Sequence, residues 1–302
     1  MDRITVIGSL NMDMVINTPR VPATGETILG NGFTTVPGGK GANQAVAIAR
    51  LGGTVSMAGC VGGDAFGEAL VHNLSVNGVD ITNIEKVSGC STGVAVIAVC
   101  RGDNSIMVAP GANNEMLASK VGHLEQLISN SAMIVLQLEI PLEAAKRAME
   151  LAIKHGVKVL LNPAPAVPLN SGILELTDII TPNESECAIL AGMPVRSIDD
   201  AKKAAARLHD MGAKAVIVTL GENGALLCDV DGFFHVPVRT VHAVDTTAAG
   251  DSFTGALAWA VTEGMPLRES MRLASLAASV AVTRRGAQTS LPYLSDLGEI
   301  DK

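Results

Sequence analysis

The segment Met133–Leu161, M-I-V-L-Q-L-E-I-P-L-E-A-A-K-R-A-M-E-L-A-I-K-H-G-V-K-V-L-L, decides the fold class. Met133–Leu138 is an apolar run of strand length. Leu142–His155 repeats apolar residues at helical spacing and stops at Gly156, a residue suited to the left-handed turn that ends many helices. Val157–Leu161 then begins a second apolar run. Strand, helix and strand in this order make a unit whose two strands lie parallel, with the helix packed over them.

The alternation extends in both directions. Upstream, Ile4–Gly8 reads as a first buried strand, Ala42–Leu51 as a helix stopped by Gly52-Gly53, Val55–Val61 as a strand and Leu117–Ile128 as a helix. Downstream, Ile179-Ile180 is a strand stub. Ser197 caps a helix running through Met211, with Asp200 three residues on as an approximate capping box. Ala215–Leu220 is a strand, Gly224–Asp229 and Gly232–Pro237 form an antiparallel edge hairpin, and Ala248–Thr262 and Leu267–Thr283 are closing helices. The pattern predicts an α/β protein of three layers, α/β/α, with a mostly parallel central sheet, read as a single domain over 1–302. Asn11–Pro37 and Ser91–Ala109 break the alternation. Their short runs, Met14–Ile16, Thr27–Leu29, Val94–Val99 and Ile106–Val108, predict a small antiparallel patch beside the main sheet. Such a patch is a lid over a cleft, a dimer interface or a plain appendage.

Composition narrows the function classes. Of 302 residues 48% are hydrophobic and 17% charged, enough apolar material for a large core and too much for general disorder. Lys+Arg 22 against Asp+Glu 30 gives a net charge of −8, which favours neither nucleic acid nor an anionic membrane as partner. Five Phe, one Tyr and one Trp leave little surface for stacking bases. No uncharged apolar run approaches the ~18 residues of a membrane span, and Ile4–Gly8 is too short for a secretory leader. Cys60, Cys90, Cys100, Cys187 and Cys228 are scattered and odd in number, against a disulfide framework or structural zinc. A soluble, cytoplasmic protein is expected.

Five segments can carry chemistry. In Ala243–Phe253, the small residues Ala248-Ala249-Gly250 let backbone approach a ligand where a helix begins, and helix starts present unpaired N–H groups to anions. Asp251 follows in the first turn. It can take a proton from an attacking hydroxyl, or simply complement the helix dipole. Pro37–Gln44 is a glycine turn opening a helix, and it is neither a P-loop nor a full dinucleotide fingerprint, since Gln44 stands where a third glycine belongs. It remains a tight turn, or a place where Lys40 and Asn43 meet a polar ligand. Asn11 and Asp13, after the first strand, point the same way if extended and suit sugar hydroxyls, or belong to a solvated turn. Gln137-Leu138-Glu139 ends a strand, and Asn183 and Glu186, after another, are either helix-capping residues or able to order magnesium-bound water. Thr219–Gly224 can admit a nucleotide or make a hairpin turn.

Taken together and in order, these pieces resemble the ribokinase branch of the PfkB sugar-kinase family. The resemblance rests on G-S-L-N-M-D from Gly8, G-G-K-G-A-N-Q-A-V-A from Gly38, N-P-A-P-A from Asn162, T-P-N-E-S-E from Thr181, T-L-G-E-N-G from Thr219, D-T-T-A-A-G-D from Asp245 and T-R-R-G-A-Q from Thr283. It implies a ribokinase-like fold with a small β-sheet lid, approximately residues 11–37 and 91–109, shared between subunits of a homodimer. It implies ATP-dependent phosphorylation of D-ribose at the 5-hydroxyl, with Asp251 as base and Ala248, Ala249 and Gly250 as anion hole. Asn11, Asp13, Gly39, Lys40, Gly41, Asn43 and Glu139 match sugar contacts. Asn183, Thr219, Leu220, Gly221, Glu222, Asn223, Gly224, Gly250 and Ser275 match nucleotide contacts, Ser275 standing where the family often has a larger polar residue. Asn183 and Glu186 belong to the magnesium network, through water. A potassium site maps onto Asp245, Thr247, Ala281, Arg284, Gly286 and Ser290. Kinases of 2-deoxyribose, fructose or a nucleoside are the near alternatives, and a non-catalytic sugar-binding regulator the distant one.

Overall fold

The computed structural model describes residues 3–100 and 103–298. In chain order the strands are β1 (Arg3–Ile7), β2 (Asn11–Asn17), β3 (Phe33–Gly38), β4 (Thr54–Gly62), β5 (Asp80–Val87), β6 (Gly93–Cys100), β7 (Asp103–Ala109), β8 (Met133–Leu136), β9 (Lys158–Leu161), β10 (Ile179–Ile180), β11 (Ala215–Thr219), β12 (Ala225–Asp229) and β13 (Gly232–Val236). The helices are α1 (Lys40–Arg50), α2 (Ala65–Val76), α3 (Ala118–His123), α4 (Glu125–Ser129), α5 (Leu142–Lys154), α6 (Ser171–Leu174), α7 (Glu184–Ala191), α8 (Ile198–Asp210), α9 (Ala249–Thr262) and α10 (Leu267–Ala281).

Nine strands form the central sheet in the order β13-β12-β11-β10-β9-β8-β1-β4-β5, all parallel from β11 to β5, with the antiparallel β12–β13 hairpin at one edge. Alternate residues of each strand face opposite ways, so a sheet covered twice needs apolar side chains at every position. Met133 and Val135 of β8 join Ile4 and Val6 of β1 in one core, under α1, α9 and α10. Ile134 and Leu136 join Ile7 in the other, under α5 and α8. The covering faces are rich in alanine: Ala42, Ala45, Ala256 and Ala277 on one side, Ala144, Ala148, Ala201 and Ala204 on the other. Small side chains let helices ride close to the sheet. Each large aliphatic side chain buried here contributes roughly 1.5–3 kcal/mol.

β1 holds the centre, with β4 on one side and β8 on the other. The chain leaves β1 toward β4 and later returns on the opposite flank, so the connections part at the carboxyl ends of β1 and β8. A crevice opens at such a reversal.

The second sheet has the order β3-β2-β6-β7. The two hairpins are antiparallel, but β2 and β6 pair in parallel, so the sheet is mixed where the sequence predicted antiparallel. The reason is topological: β2 and β6 both follow strands of the parallel sheet and leave its carboxyl edge in the same direction. Phe33–Gly38 pairs with β2, whereas Thr27–Leu29 stays outside the sheet, in a loop closed by the Asn31 N–H bond to the Asn17 carbonyl. The segment 91–109 includes 101–102, which lie outside the described residues, as do 1–2 and 299–302. Elsewhere the expected helix 117–128 breaks at Leu124 into α3 and α4. α2 and β5 had no expectation attached. α2 buries only Gly67, Leu70 and Leu74, and β5 is a half-exposed edge strand, so neither writes a strong apolar pattern.

Candidate active site

The start of α1 lies against the connection that leaves β1. Gly39 holds φ 90°, and a Cβ there would sit 2.6 Å from the Asn11 nitrogen. A Cβ on Gly41 would sit 2.6 Å from the Ser9 nitrogen. Only glycine permits both approaches. With them made, the Ala42 N–H donates to the Ser9 carbonyl at 3.0 Å, and Lys40 and Asn43 stand over the strand ends. α1 has no side-chain cap from its own N-cap residue and no acidic residue in its first turn. Glu139, past the end of β8, supplies the missing acceptor: its Oε2 accepts from the Lys40 backbone N–H (3.1 Å) and from the Ser9 hydroxyl (2.5 Å).

Asp251 lies in the first turn of α9 and is 5% exposed. Its Oδ2 accepts from the Asn43 side-chain amide at 2.8 Å and its Oδ1 from the Gln44 amide at 2.9 Å, both donors one turn into α1. Two helices that begin at the same crevice therefore meet at this carboxylate. Beside it is a cavity of about 200 Å³, lined by Lys40, Asn183, Glu186, Thr219, Thr247, Gly250 and Asp251, all expected, and by Asn162, Ala164, Thr181, Thr246 and Thr254, which were not. Among the anion-hole candidates, Ala248 caps α9, and the Ala249 N–H already bonds the Thr246 carbonyl at 3.2 Å.

Asn11 and Asp13 occupy β2 two residues apart and share one face, both buried. The Asn11 Oδ1 accepts from Asn113 Nδ2 at 2.8 Å, and Asn113 also bonds both backbone groups of Leu10. Asn113 carries no sequence signal beyond a loop amide. Burial, then the carboxylates of Glu139 and Asp251, push Asp13 up to about 7, with Lys40 pulling the other way. Burial also works against the Lys40 charge. The carboxylates of Asp251, Glu139, Glu186 and Asp13 outweigh it and hold this ammonium above the usual lysine range. Burial likewise raises Glu186. A second cavity of about 270 Å³ adjoins Asn11 and Glu139 and is walled by Val108 of β7 and by Pro110, Asn113 and Leu138.

Asn183 caps α7 in a reciprocal box with Glu186: Glu186 N–H to Asn183 Oδ1 at 2.8 Å, Asn183 N–H to Glu186 Oε2 at 2.9 Å. Thr219 is bridged to Asn183. Leu220 is buried and points away from the cavity lining, Gly221–Asn223 form a single exposed turn, and the Leu220 N–H bonds the Gly224 carbonyl at 2.7 Å. Ser275 sits on α10 with a buried hydroxyl that has no partner among the described residues, outside the lining of either cavity.

The remaining expected residues gather in the loop 243–247 and, adjoining it, at the end of α10 and in the segment after it, 281–290. Asp245 ties them. Its Oδ1 accepts from the Thr247 N–H (3.0 Å) and hydroxyl, its Oδ2 from the Gly286 N–H (2.9 Å). Burial opposes the charge, but these donors hold Asp245 below the usual carboxylate range. Arg284 turns away to pair with Asp296 at 3.0 Å, the Ala281 carbonyl accepts from the Arg284 N–H, and the Ser290 hydroxyl bonds the Ala287 carbonyl. Among the described residues no group of three or more His, Cys, Asp or Glu side chains could hold a metal ion.

Comparison with known proteins agrees with this geometry. Residues 1–294 match the pfkB family carbohydrate kinase model. The chain is 44% identical to a ribokinase of Schizosaccharomyces pombe, covering 98% of this chain and 97% of that one. It is 41% identical to a deoxyribokinase of Salmonella typhi over 98% and 97% of the two chains. The structure of Arabidopsis thaliana ribokinase complexed with ribose and ATP superposes with a TM-score of 0.92 at 33% identity, covering 98% and 97%. The chain belongs to the pfkB family of carbohydrate kinases.

Proposed function

We propose that the protein transfers the γ-phosphoryl group of ATP to the 5-hydroxyl of D-ribose, giving D-ribose 5-phosphate and ADP. The observation that carries this is Asp251, a buried carboxylate fixed by two amide donors at the edge of a polar cavity and one residue beyond Gly250 at a helix start. In the reaction Asp251 takes the hydroxyl proton as the sugar oxygen forms its bond to the γ-phosphorus and the bond to the ADP oxygen breaks in line. Backbone N–H groups of Ala248 and Gly250 face the charge on the transferring group, with the Ala249 N–H joining them once it leaves the Thr246 carbonyl. Asn11, Asp13, Gly39, Lys40, Gly41, Asn43 and Glu139 hold the sugar. Asn183, Thr219–Gly224 and Ser275 hold the nucleotide.

Glu186 suits a magnesium ion held through water, because it lines the cavity and only one of its oxygens is used in the capping box, while Asn183, whose Oδ1 accepts from the Glu186 N–H and the Ser185 hydroxyl, positions it. Bound there, the ion neutralises charge on the phosphate oxygens. The Asp245 loops suit a potassium ion: Asp245 keeps its carboxylate charge, it holds the Thr247 and Gly286 backbone beside it, and the Arg284 cation is drawn off to Asp296. The exposed Phe33, Ile106 and Met107 of the small sheet support a homodimer through the lid. A cytoplasmic setting agrees with five free cysteines.

2-Deoxy-D-ribose is the second reading, favoured by the similarity to a deoxyribokinase. Asp13 argues for ribose, because a buried acceptor built for a hydroxyl is left unpaired by an analogue lacking it. Coupled ADP release with D-ribose, 2-deoxy-D-ribose, D-fructose and adenosine, each in potassium and in sodium, tests the assignment. D-Ribose is expected to lead, with a rise in potassium. A higher kcat/KM for another substrate overturns the sugar assignment, and no turnover with any overturns the kinase reading.

A further inference from the structure

Behind Asp251 lies a chain of buried amides to which the sequence assigned no role. Gln44 Nε2 donates to Asp251 Oδ1 (2.9 Å) and also to Asn162 Oδ1 (3.1 Å). Gln44 Oε1 accepts from Gln137 Nε2 at 2.6 Å. Asn162 Nδ2 donates to the Thr181 backbone carbonyl at 3.0 Å. Gln44 and Gln137 are fully buried, and Asn162 is 7% exposed.

A side-chain amide has one donor end and one acceptor end, so a chain of them anchored at Thr181 and Asp251 has a direction; it ends at Gln137, whose Oε1 has no partner among the described residues. The Thr181 carbonyl can only accept, so Asn162 must present its NH2 there and its oxygen to Gln44. Asp251, as a carboxylate, can only accept. Both neighbours therefore demand the NH2 of Gln44, whose oxygen is left facing Gln137, and Gln137 must answer with its own NH2. Rotating any member by half a turn sets oxygen against oxygen among buried groups.

We infer that Gln137 and Gln44 form a one-way amide relay that orients Asp251 for proton transfer, with Gln137 acting only through Gln44. Both are positioning residues: neither reaches the reacting atoms, and neither lines the cavity. The relay joins the ends of β8 and β9 to α1, so the carboxylate's orientation is set by the central sheet rather than by α9 alone. This inference rests on the reading of Asp251 as the base.

The test is a double-mutant cycle in the full-length protein, with Gln44→Met and Gln137→Met alone and together, and Asp251→Asn alongside. Methionine keeps the volume and removes the donors. The relay predicts that Gln44→Met lowers kcat about 10- to 100-fold with the KM for sugar and for ATP within about 3-fold. Gln137→Met lowers kcat by a smaller factor in the wild-type background and by none once Gln44 is gone. Multiplicative losses, or an unchanged kcat in Gln44→Met, overturn the relay. If Gln44→Met fails to fold, Gln137→Met alone decides: the Gln44 oxygen then loses the donor that fixes its orientation, so kcat must fall with both KM values held, and an unchanged kcat overturns the relay. An active Asp251→Asn overturns the base assignment itself, whereas an inactive Asp251→Asn beside a fully active Gln44→Met overturns the relay alone.

Discussion

The Glu139 carboxylate accepts a hydrogen bond from the Lys40 backbone N–H at 3.1 Å across 99 residues of sequence. One side chain from the end of β8 thus caps the helix that carries Lys40, Asn43 and Gln44 to Asp251. The same oxygen takes the Ser9 hydroxyl, so the β1 and β8 connections and α1 share one acceptor.

Replacing Glu139 with Ala leaves that N–H and that hydroxyl without their acceptor. The expected cost is about 1–3 kcal/mol of stability, read from urea unfolding. Glu139→Gln keeps an acceptor and should recover most of it. Equal losses in the two variants would show that the charge, not the hydrogen bonds, matters.

Asp13 gives a pH dependence. It ionises near 3.8 when unfolded and at about 7 when folded, raised by burial first and then by Glu139 and Asp251. Between those values the folded protein keeps a proton the unfolded chain has lost. This group's contribution is therefore full below about 4, declines as the pH rises toward 7 and stays lost above, by a few kcal/mol at most, on the order of linkage for a shift of this size. Asp13→Asn should raise Tm over wild type at pH 8 and leave it unchanged at pH 4, while the KM for D-ribose rises about 10-fold. An equal Tm difference at both pH values would contradict this.

Lys40 is the cation among Asp251, Glu139, Glu186 and Asp13. Lys40→Met leaves the cavity lined by uncompensated carboxylates facing an anionic nucleotide. Steady-state kinetics should show the KM for ATP rising by about 10-fold or more. An ATP KM equal to wild type would contradict this charge-balancing role of Lys40.

Gly41→Ala places a Cβ 2.6 Å from the Ser9 nitrogen and 2.8 Å from the Gly8 carbonyl carbon, both backbone atoms that cannot step aside alone. A destabilisation of about 1–3 kcal/mol and reduced kcat are expected. Gly122→Ala, in α3 with nothing within 4 Å, is the matched control and should be neutral or slightly stabilising. Similar unfolding curves for the two would contradict the close packing at Gly41.

The layers of the fold were legible because parallel strands covered on both faces must be apolar throughout, as Met133–Leu136 and Lys158–Leu161 nearly are, and glycines such as Gly156 end the helices between them. α2 and β5 were not, since edge elements bury one side only. The lid pairing was misread at Thr27–Leu29 because exposed strands obey their partners' register more than their own propensity. At the site, Gly39, Lys40, Asn43 and Asp251 stood out as polar or glycine positions at element starts. Gln44, Gln137 and Asn162 lay in noted segments and Asn113 in none, but no role was legible for any of them, because an amide's role depends on which end its neighbours require, and those neighbours lie far away in sequence.

The most direct test of the whole account is the turnover of Asp251→Asn with D-ribose and Mg-ATP, alongside calorimetric binding of each substrate to the same variant. The account predicts a kcat lowered by about 10²–10⁴-fold with both substrates still bound within a few-fold of wild type. Turnover near the wild-type value would contradict it.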